Sequence, residues 1–199
     1  MIALYKPYGY LSQFTPEAPG CPHLPLSRLP LQLPGGVYPV GRLDADSEGL
    51  LLLTSDPGFA ASALAPFPRH VPREYWCHVE GHVSPPQLAA LEAGGIPLPD
   101  GHTSLPCRAW ALPAPPPLPP RLPPVRVRVT VPDSWLALEL SEGRNRQARR
   151  MCAGVGLPCL RLHRERFGGL RLITGLGLGP GEWRPLSAGE REEALLRSS

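Results

Sequence analysis

Apolar and polar positions change places along this chain in short stretches, a pattern that predicts short elements, most of them strands. Ile2–Tyr5 is an apolar run halted by Lys6-Pro7-Tyr8-Gly9 and reads as a strand entering a turn. Residues 15–36, rich in Pro and Gly, predict an ordered loop, and Val37–Val40 a strand. Leu50–Thr54 opens with four consecutive leucines and reads as a strand buried on both faces, followed by a short helix over Pro57–Leu64. Tyr75–Glu80 has strand composition and stops at Gly81. Ser84-Pro85-Pro86-Gln87 opens a helix, because Ser caps and proline suits the first turn, and Gly94-Gly95 closes it. Val125–Val131 alternates with period two, predicting a strand with one apolar and one basic face, turned by Pro132-Asp133-Ser134 onto a partner strand Trp135–Leu140. A helix over Arg144–Val155 would bury Ala148, Met151, Cys152 and Val155. Leu160–Phe167, Leu170–Ile173 and Glu182–Arg184 read as further strands, and Ala188–Arg197 as a C-terminal helix. Strands outnumber helices without a βαβ alternation. The fold class expected is α/β in the α+β sense: a mixed, mainly antiparallel sheet with flanking helices.

The chain has 199 residues, 42% hydrophobic and 19% charged, which suits one globular domain with a real core and argues against disorder. No apolar run approaches the ~20 residues that span a bilayer, and the N-terminus lacks the pattern of a signal peptide. Membrane-spanning and secreted proteins are excluded on this reading, and a cytoplasmic location is expected. The five cysteines form no CxxC pair and the histidines supply no short ligand spacing, so the thiols are expected reduced and no metal is expected. Residues 113–124 hold eight prolines and read as a stiff insertion or connector, dispensable for activity.

Charge narrows the picture. The net charge is only +3, yet residues 142–171 carry Arg144, Arg146, Arg149, Arg150, Arg161, Arg164, Arg166 and Arg171 against Glu142 and Glu165. A basic band on an otherwise mildly acidic chain is the footprint of a phosphate-backbone binder, and Arg126 and Arg128 add to it. Arginine supplies 19 of the 20 basic residues, and its planar fork suits phosphate.

Four segments occur in order: Tyr5-Lys6-Pro7-Tyr8-Gly9, Gly41-Arg42-Leu43-Asp44-Ala45-Asp46-Ser47-Glu48-Gly49-Leu50-Leu51, Arg73-Glu74-Tyr75, and Glu142-Gly143-Arg144-Asn145-Arg146-Gln147-Ala148-Arg149-Arg150-Met151. Together they resemble the small-ribosomal-subunit branch of the RNA pseudouridine synthases, over about residues 3–186, with the greatest likeness to a large-subunit rRNA enzyme. The resemblance implies a pseudouridine synthase catalytic domain over 1–187, an active-site cleft across the sheet, and a C-terminal helix or tail over 188–199. It implies isomerisation of a specific uridine in 23S (large-subunit) rRNA or a pre-ribosomal particle, by a monomer needing no metal and no cofactor. Carried over by position, Asp44 is the catalytic aspartate. Arg42 enters the stack vacated by the flipped uridine, Tyr75 packs on the target base, and Arg149 pairs with the aspartate as a buried counter-ion. Two positions depart from the family pattern: Arg73 stands in Lys-x-Tyr, and Ala148 in Gln-Val-Arg. Many relatives carry an N-terminal S4-type RNA-binding module; none is expected here. RNA recognition then falls to Arg144, Arg146, Arg150 and Arg161 and to Arg126 and Arg128.

The chemistry suits these residue types. A uridine must leave its stack at a cost of a few kcal/mol before its glycosidic bond is reachable. An arginine can fill the gap and an aromatic ring can receive the base. A carboxylate must stay ionised, which a nearby cation favours. Attack on C1′ and removal of a ribose proton both remain open for Asp44. Alternatives are the same chemistry on tRNA or another rRNA site, and a non-catalytic rRNA-binding or ribosome-assembly protein.

Overall fold

The sheet that organises this protein runs, from one edge to the other, through residues 108–111, 133–140, 73–80, 159–167, 47–54, 2–6 and 183–185. The structure is a computed structural model, and it describes residues 1–66, 69–99 and 101–196. In chain order its strands are β1 (Ile2–Lys6), β2 (Tyr38–Pro39), β3 (Ser47–Thr54), β4 (Arg73–Glu80), β5 (Arg108–Ala111), β6 (Asp133–Leu140), β7 (Cys159–Phe167), β8 (Leu170–Arg171) and β9 (Trp183–Pro185). The helices are α1 (Pro57–Ala63), α2 (Pro85–Ala93), α3 (Gln147–Gly154) and α4 (Ala188–Glu193). The expected end of the last helix, Arg197, lies outside the described residues.

Every strand pairing is antiparallel except β3 with β7, which meet over Ser47↔Leu162, Glu48↔His163 and Gly49↔Arg164. That short parallel junction joins the two halves of the sheet. It requires a glycine: Gly49 has φ +111°, and a Cβ there would lie 2.4 Å from the Arg164 carbonyl oxygen. The leucine run of β3 sends Leu50 and Leu52 to one face, with Ala3, Tyr5 and Phe167. Leu51 and Leu53 go to the other, with Ile2, Leu4 and Leu26. A third cluster, including Cys77, Leu136, Leu138, Met151, Cys152 and Leu162, fills the other half of the sheet. Local chemistry fixes the helices. Asp56 accepts from the amides of Gly58 (2.8 Å) and Phe59 (3.1 Å) at the start of α1. A capping box between Ser84 and Gln87 starts α2, and Gly94 ends it.

Several elements differ from expectation. Val125–Val131 is not a strand; it is irregular and mostly exposed, with Val129 fully so. Both sides of β6 are already occupied, by β4 and by the short unforeseen β5, so the valines have no ladder to join and no core to enter. Helix α3 begins at Gln147 rather than Arg144, because Arg146 takes a left-handed conformation (φ 52°). The strand expected at Leu170–Ile173 stops at Arg171. There the Glu165 carboxylate accepts from the amides of Ile173 and Thr174 and draws the chain into a wide helical turn, Leu172–Leu176.

Candidate active site

The loop entering β3 carries Asp44, and four donors from three other parts of the chain hold it carbonyl by carbonyl. The buried Ser12 hydroxyl donates to the Leu43 carbonyl (2.8 Å) and accepts from the Leu43 amide (2.9 Å). The Asp44 carbonyl accepts from Ser47 N (3.0 Å) and the Ala45 carbonyl from Gly9 N (2.7 Å). Arg149 Nη2 donates to the Asp46 carbonyl (2.7 Å). A loop with its backbone satisfied in this way presents its side chain without conformational freedom to lose.

The Asp44 side chain is 30% exposed and opens on a cleft of about 880 Å³. Arg42 and Tyr75 line the cleft from the sheet side, and Arg144 and Arg146 from the approach to α3. Glu17 and His23 of the long N-terminal loop complete the wall. Tyr75 is half-buried and packs against two of the three apolar clusters. Across the β4–β7 ladder it pairs with the buried Arg164, whose Nε donates to the Leu50 carbonyl (2.6 Å).

The cation nearest Asp44 differs from the one expected. Arg146 Nη1 stands 3.8 Å from the Asp44 carboxylate and makes a two-pronged bond to Asp46 (3.0 and 2.7 Å). Arg149 instead reaches the Asp46 and Cys159 carbonyls, with Nε 3.5 Å from the Asp46 carboxylate. The expected buried Asp44–Arg149 pair is therefore replaced by a partly exposed Asp44 beside Arg146. Arg149 acts on the loop through Asp46, because its guanidinium is committed to those carbonyls. Burial works against ionising Asp46, but the hydrogen bond from Arg146 and the charge of Arg149 prevail and hold its carboxyl below the usual range.

The expected RNA-facing arginines separate. Arg144 and Arg146 are exposed at the cleft, and Arg150 Nη2 donates to Asn145 Oδ1 (3.2 Å) beside them. Arg126 is exposed, while Arg128 is bonded to Glu80 (Nε to Oε1 2.7 Å). Arg161 is not on the surface: it is 6% exposed and grips both Glu48 oxygens (2.8 and 2.9 Å). Leu162 lines the cleft, so its neighbour Arg161 points to the opposite face of the sheet, which removes it from the RNA-facing set. Two residues of the site had no signal in spacing or charge. One is Ser12. The other is Lys6, wholly buried, whose Nζ donates to the carbonyls of Pro7 (3.0 Å) and Tyr10 (2.6 Å). Burial lowers the Lys6 ammonium to a pKa of about 7 against the pull of Glu48, Asp46 and Asp44. Among the described residues no three His, Cys, Asp or Glu side chains converge as metal ligands.

Residues 1–154 match the sequence model of the RNA pseudouridylate synthase family. The chain belongs to that family. It is 50% identical over 185 residues to the ribosomal large subunit pseudouridine synthase E of Xanthomonas campestris pv. campestris, covering 92% of this chain and 94% of that protein. The protein of the same name from Vibrio vulnificus is 43% identical over 187 residues, covering 94% of this chain and 75% of its own. A solved crystal structure of a pseudouridylate synthase superposes with a TM-score of 0.77 at 26% identity, over 97% of this chain and 72% of that one. The mixed sheet with flanking helices is thus the pseudouridine synthase fold, and members of this family are isomerases. No helix among the described residues is long and apolar enough to cross a membrane.

Proposed function

We propose that this protein converts one uridine of large-subunit rRNA to pseudouridine, as a cytoplasmic monomer, with Asp44 as its catalytic carboxylate. The observation that carries this reading is Asp44 itself: a carboxylate open to the cleft, on a loop whose successive carbonyls are all held, facing Tyr75 and flanked by Arg146. The names of the similar proteins supply the substrate class. The uridine leaves its stack and enters the cleft with its base on the Tyr75 ring. Arg42, exposed at the rim, takes the vacated position. Asp44 acts at the ribose while Arg146 favours its ionised form. The N1–C1′ bond breaks, the uracil turns, a C5–C1′ bond forms, the C5 proton leaves to solvent, and N1 takes up a proton in its place. Arg144, Arg146 and Arg150 run beside the cleft and take the RNA backbone, giving an affinity that falls steeply with salt.

The test is release of tritium from C5-labelled uridine in large-subunit rRNA, wild type beside Asp44→Asn. Release by the wild type, none by the variant, and binding of both within a few-fold is the expected outcome. Full release by Asp44→Asn would remove Asp44 from the chemistry. Release only from tRNA, or tight binding with no release from any RNA, would replace the substrate or the enzyme reading respectively.

A further inference from the structure

The proline-rich segment does not hang off the molecule. It leaves the edge strand where Leu112 N donates to the Trp135 carbonyl (2.9 Å), and it returns at Pro132, whose carbonyl accepts from Gly81 N (2.7 Å). Between those points Arg128 bonds Glu80 near the return, and the proline stretch itself makes two contacts of another kind. The Pro119 carbonyl accepts from Arg161 Nη2 (2.9 Å), on the sheet face opposite the cleft. The Arg121 guanidinium lies over the Tyr8 ring, 4.2 Å from its centre, and is itself fixed by the Pro123 and Pro124 carbonyls (2.8 and 2.9 Å). The segment is a strap across the back of the sheet.

Both contacts lead to the Asp44 loop. Arg161 holds Glu48, the second residue of β3 directly beyond that loop, with two hydrogen bonds. Tyr8 adjoins Gly9, whose amide holds the Ala45 carbonyl directly after Asp44. We propose that the strap is a brace for the catalytic loop, with Arg121 as a positioning residue that fixes Tyr8 and, through Gly9, the backbone beside Asp44. Stiffness is what such a brace requires. A proline-rich stretch has little conformational freedom to lose on ordering, and its prolines carry no amide to compete for its carbonyls, so those of Pro119, Pro123 and Pro124 accept from arginines. The contact is suited to arginine, since a planar guanidinium stacks on a ring and still donates at its edge. The inference rests on the proposed role of Asp44 for its consequence in turnover, but not for its structural content.

The test uses the full chain with Arg121→Ala, Tyr8→Leu and both together. Turnover on large-subunit rRNA is measured as kcat and KM separately, and amide hydrogen exchange is followed in the RNA-free protein. A brace predicts a kcat reduced roughly ten-fold with KM and RNA affinity within about two-fold, because a small misplacement costs rate rather than binding. It also predicts faster exchange at the Gly9 and Ser47 amides with no change in the β4–β6 ladder, and a double variant no worse than either single one. Uniformly faster exchange would make the strap a general stabiliser and overturn the proposal. An unchanged kcat with weakened RNA binding would overturn it too, assigning Arg121 to the RNA. If the wild type turned over no rRNA, the proposed function would fall while the exchange pattern still decided the brace.

Discussion

Arg144 and Arg146, on the approach to α3, stand exposed at the cleft, whereas Arg161, Arg164 and Arg166, farther along in β7, turn into the protein. Arg161 meets Glu48, Arg164 the Leu50 carbonyl, and Arg166 both Glu74 and Glu139. The same residue type therefore does two different jobs within one basic band. A loop before a helix leaves a long side chain at the surface, so Arg146 stays exposed at the cleft even while its guanidinium is bonded to Asp46. A central strand covered on both faces forces its cation to find protein acceptors, since an uncompensated buried charge is costly. The band's positive charge, taken as a surface feature, overstates what is exposed. Only its helix-proximal part faces the cleft.

The sharpest way to break this contrast is Arg161→Ala. It leaves the buried Glu48 carboxylate without its cation, and stability should fall by about 3–5 kcal/mol in denaturant titration. Arg161→Met combined with Glu48→Leu should recover most of that loss, because the pair's net worth is small once its desolvation is counted. An Arg161→Ala protein as stable as wild type would mean the pair is open to water.

Lys6 sharpens the contrast, because its Nζ donates to carbonyls alone rather than to a carboxylate. Its ammonium falls from 10.5 to about 7 on folding. Between those values the unfolded chain holds a proton that the folded chain does not, so stability rises as pH climbs through the window. The penalty is complete below about 7. Lys6→Met should remove up to ~1.4 kcal/mol per pH unit of that slope in urea titrations from pH 7 to 10.5. An identical slope in the variant would assign the pH dependence elsewhere.

Arg146→Ala tests the exposed side. kcat/KM should drop about ten-fold, ~1.4 kcal/mol, and the salt slope of RNA binding should become shallower by about 1. Thermal stability should stay within ~1 kcal/mol, because its carboxylate partners are partly solvated. The smallest effect belongs to Arg184 and Glu190, a partly exposed pair in which the arginine and the Ser187 backbone hold the Glu190 carboxyl at about 2. Its contribution is present above the ordinary carboxylate range and fades as pH falls toward about 2. Glu190→Gln should cost under ~1 kcal/mol at low ionic strength and less in 1 M salt.

Local rules were readable wherever local chemistry decided. The Ser84 cap, the leucine run of β3 and the strand expected at Trp135–Leu140 formed close to where the pattern put them, whereas the one period-two stretch, Val125–Val131, did not. Asp44, Arg42 and Tyr75 share one cleft, an arrangement that the ordered motifs suggested through a family resemblance rather than through spacing. What stayed hidden depends on which element arrives first at a shared edge. Val125–Val131 has strand chemistry, yet β4 and β5 occupy both flanks of β6. Likewise, a sequence shows that Arg149 and Arg146 are three residues apart, but not that a left-handed turn at Arg146 aims one guanidinium at two side chains and the other at two carbonyls. The Ser12 clamp joins residues 31 positions apart by a single hydroxyl and leaves no periodic trace.

Gly49 carries a last consequence. A Cβ at that position would collide with the Arg164 carbonyl at 2.4 Å, so the parallel junction exists only while one strand presents bare backbone to the other. A single added methyl group would wedge β3 from β7 and carry Asp44 away from Tyr75 on the far side of the seam. The gap between Asp44 and Tyr75 is thus calibrated by a missing carbon atom. Drift in the sequence can rewrite the exposed arginines beside the cleft one by one, but at this residue it has no neighbouring step to take.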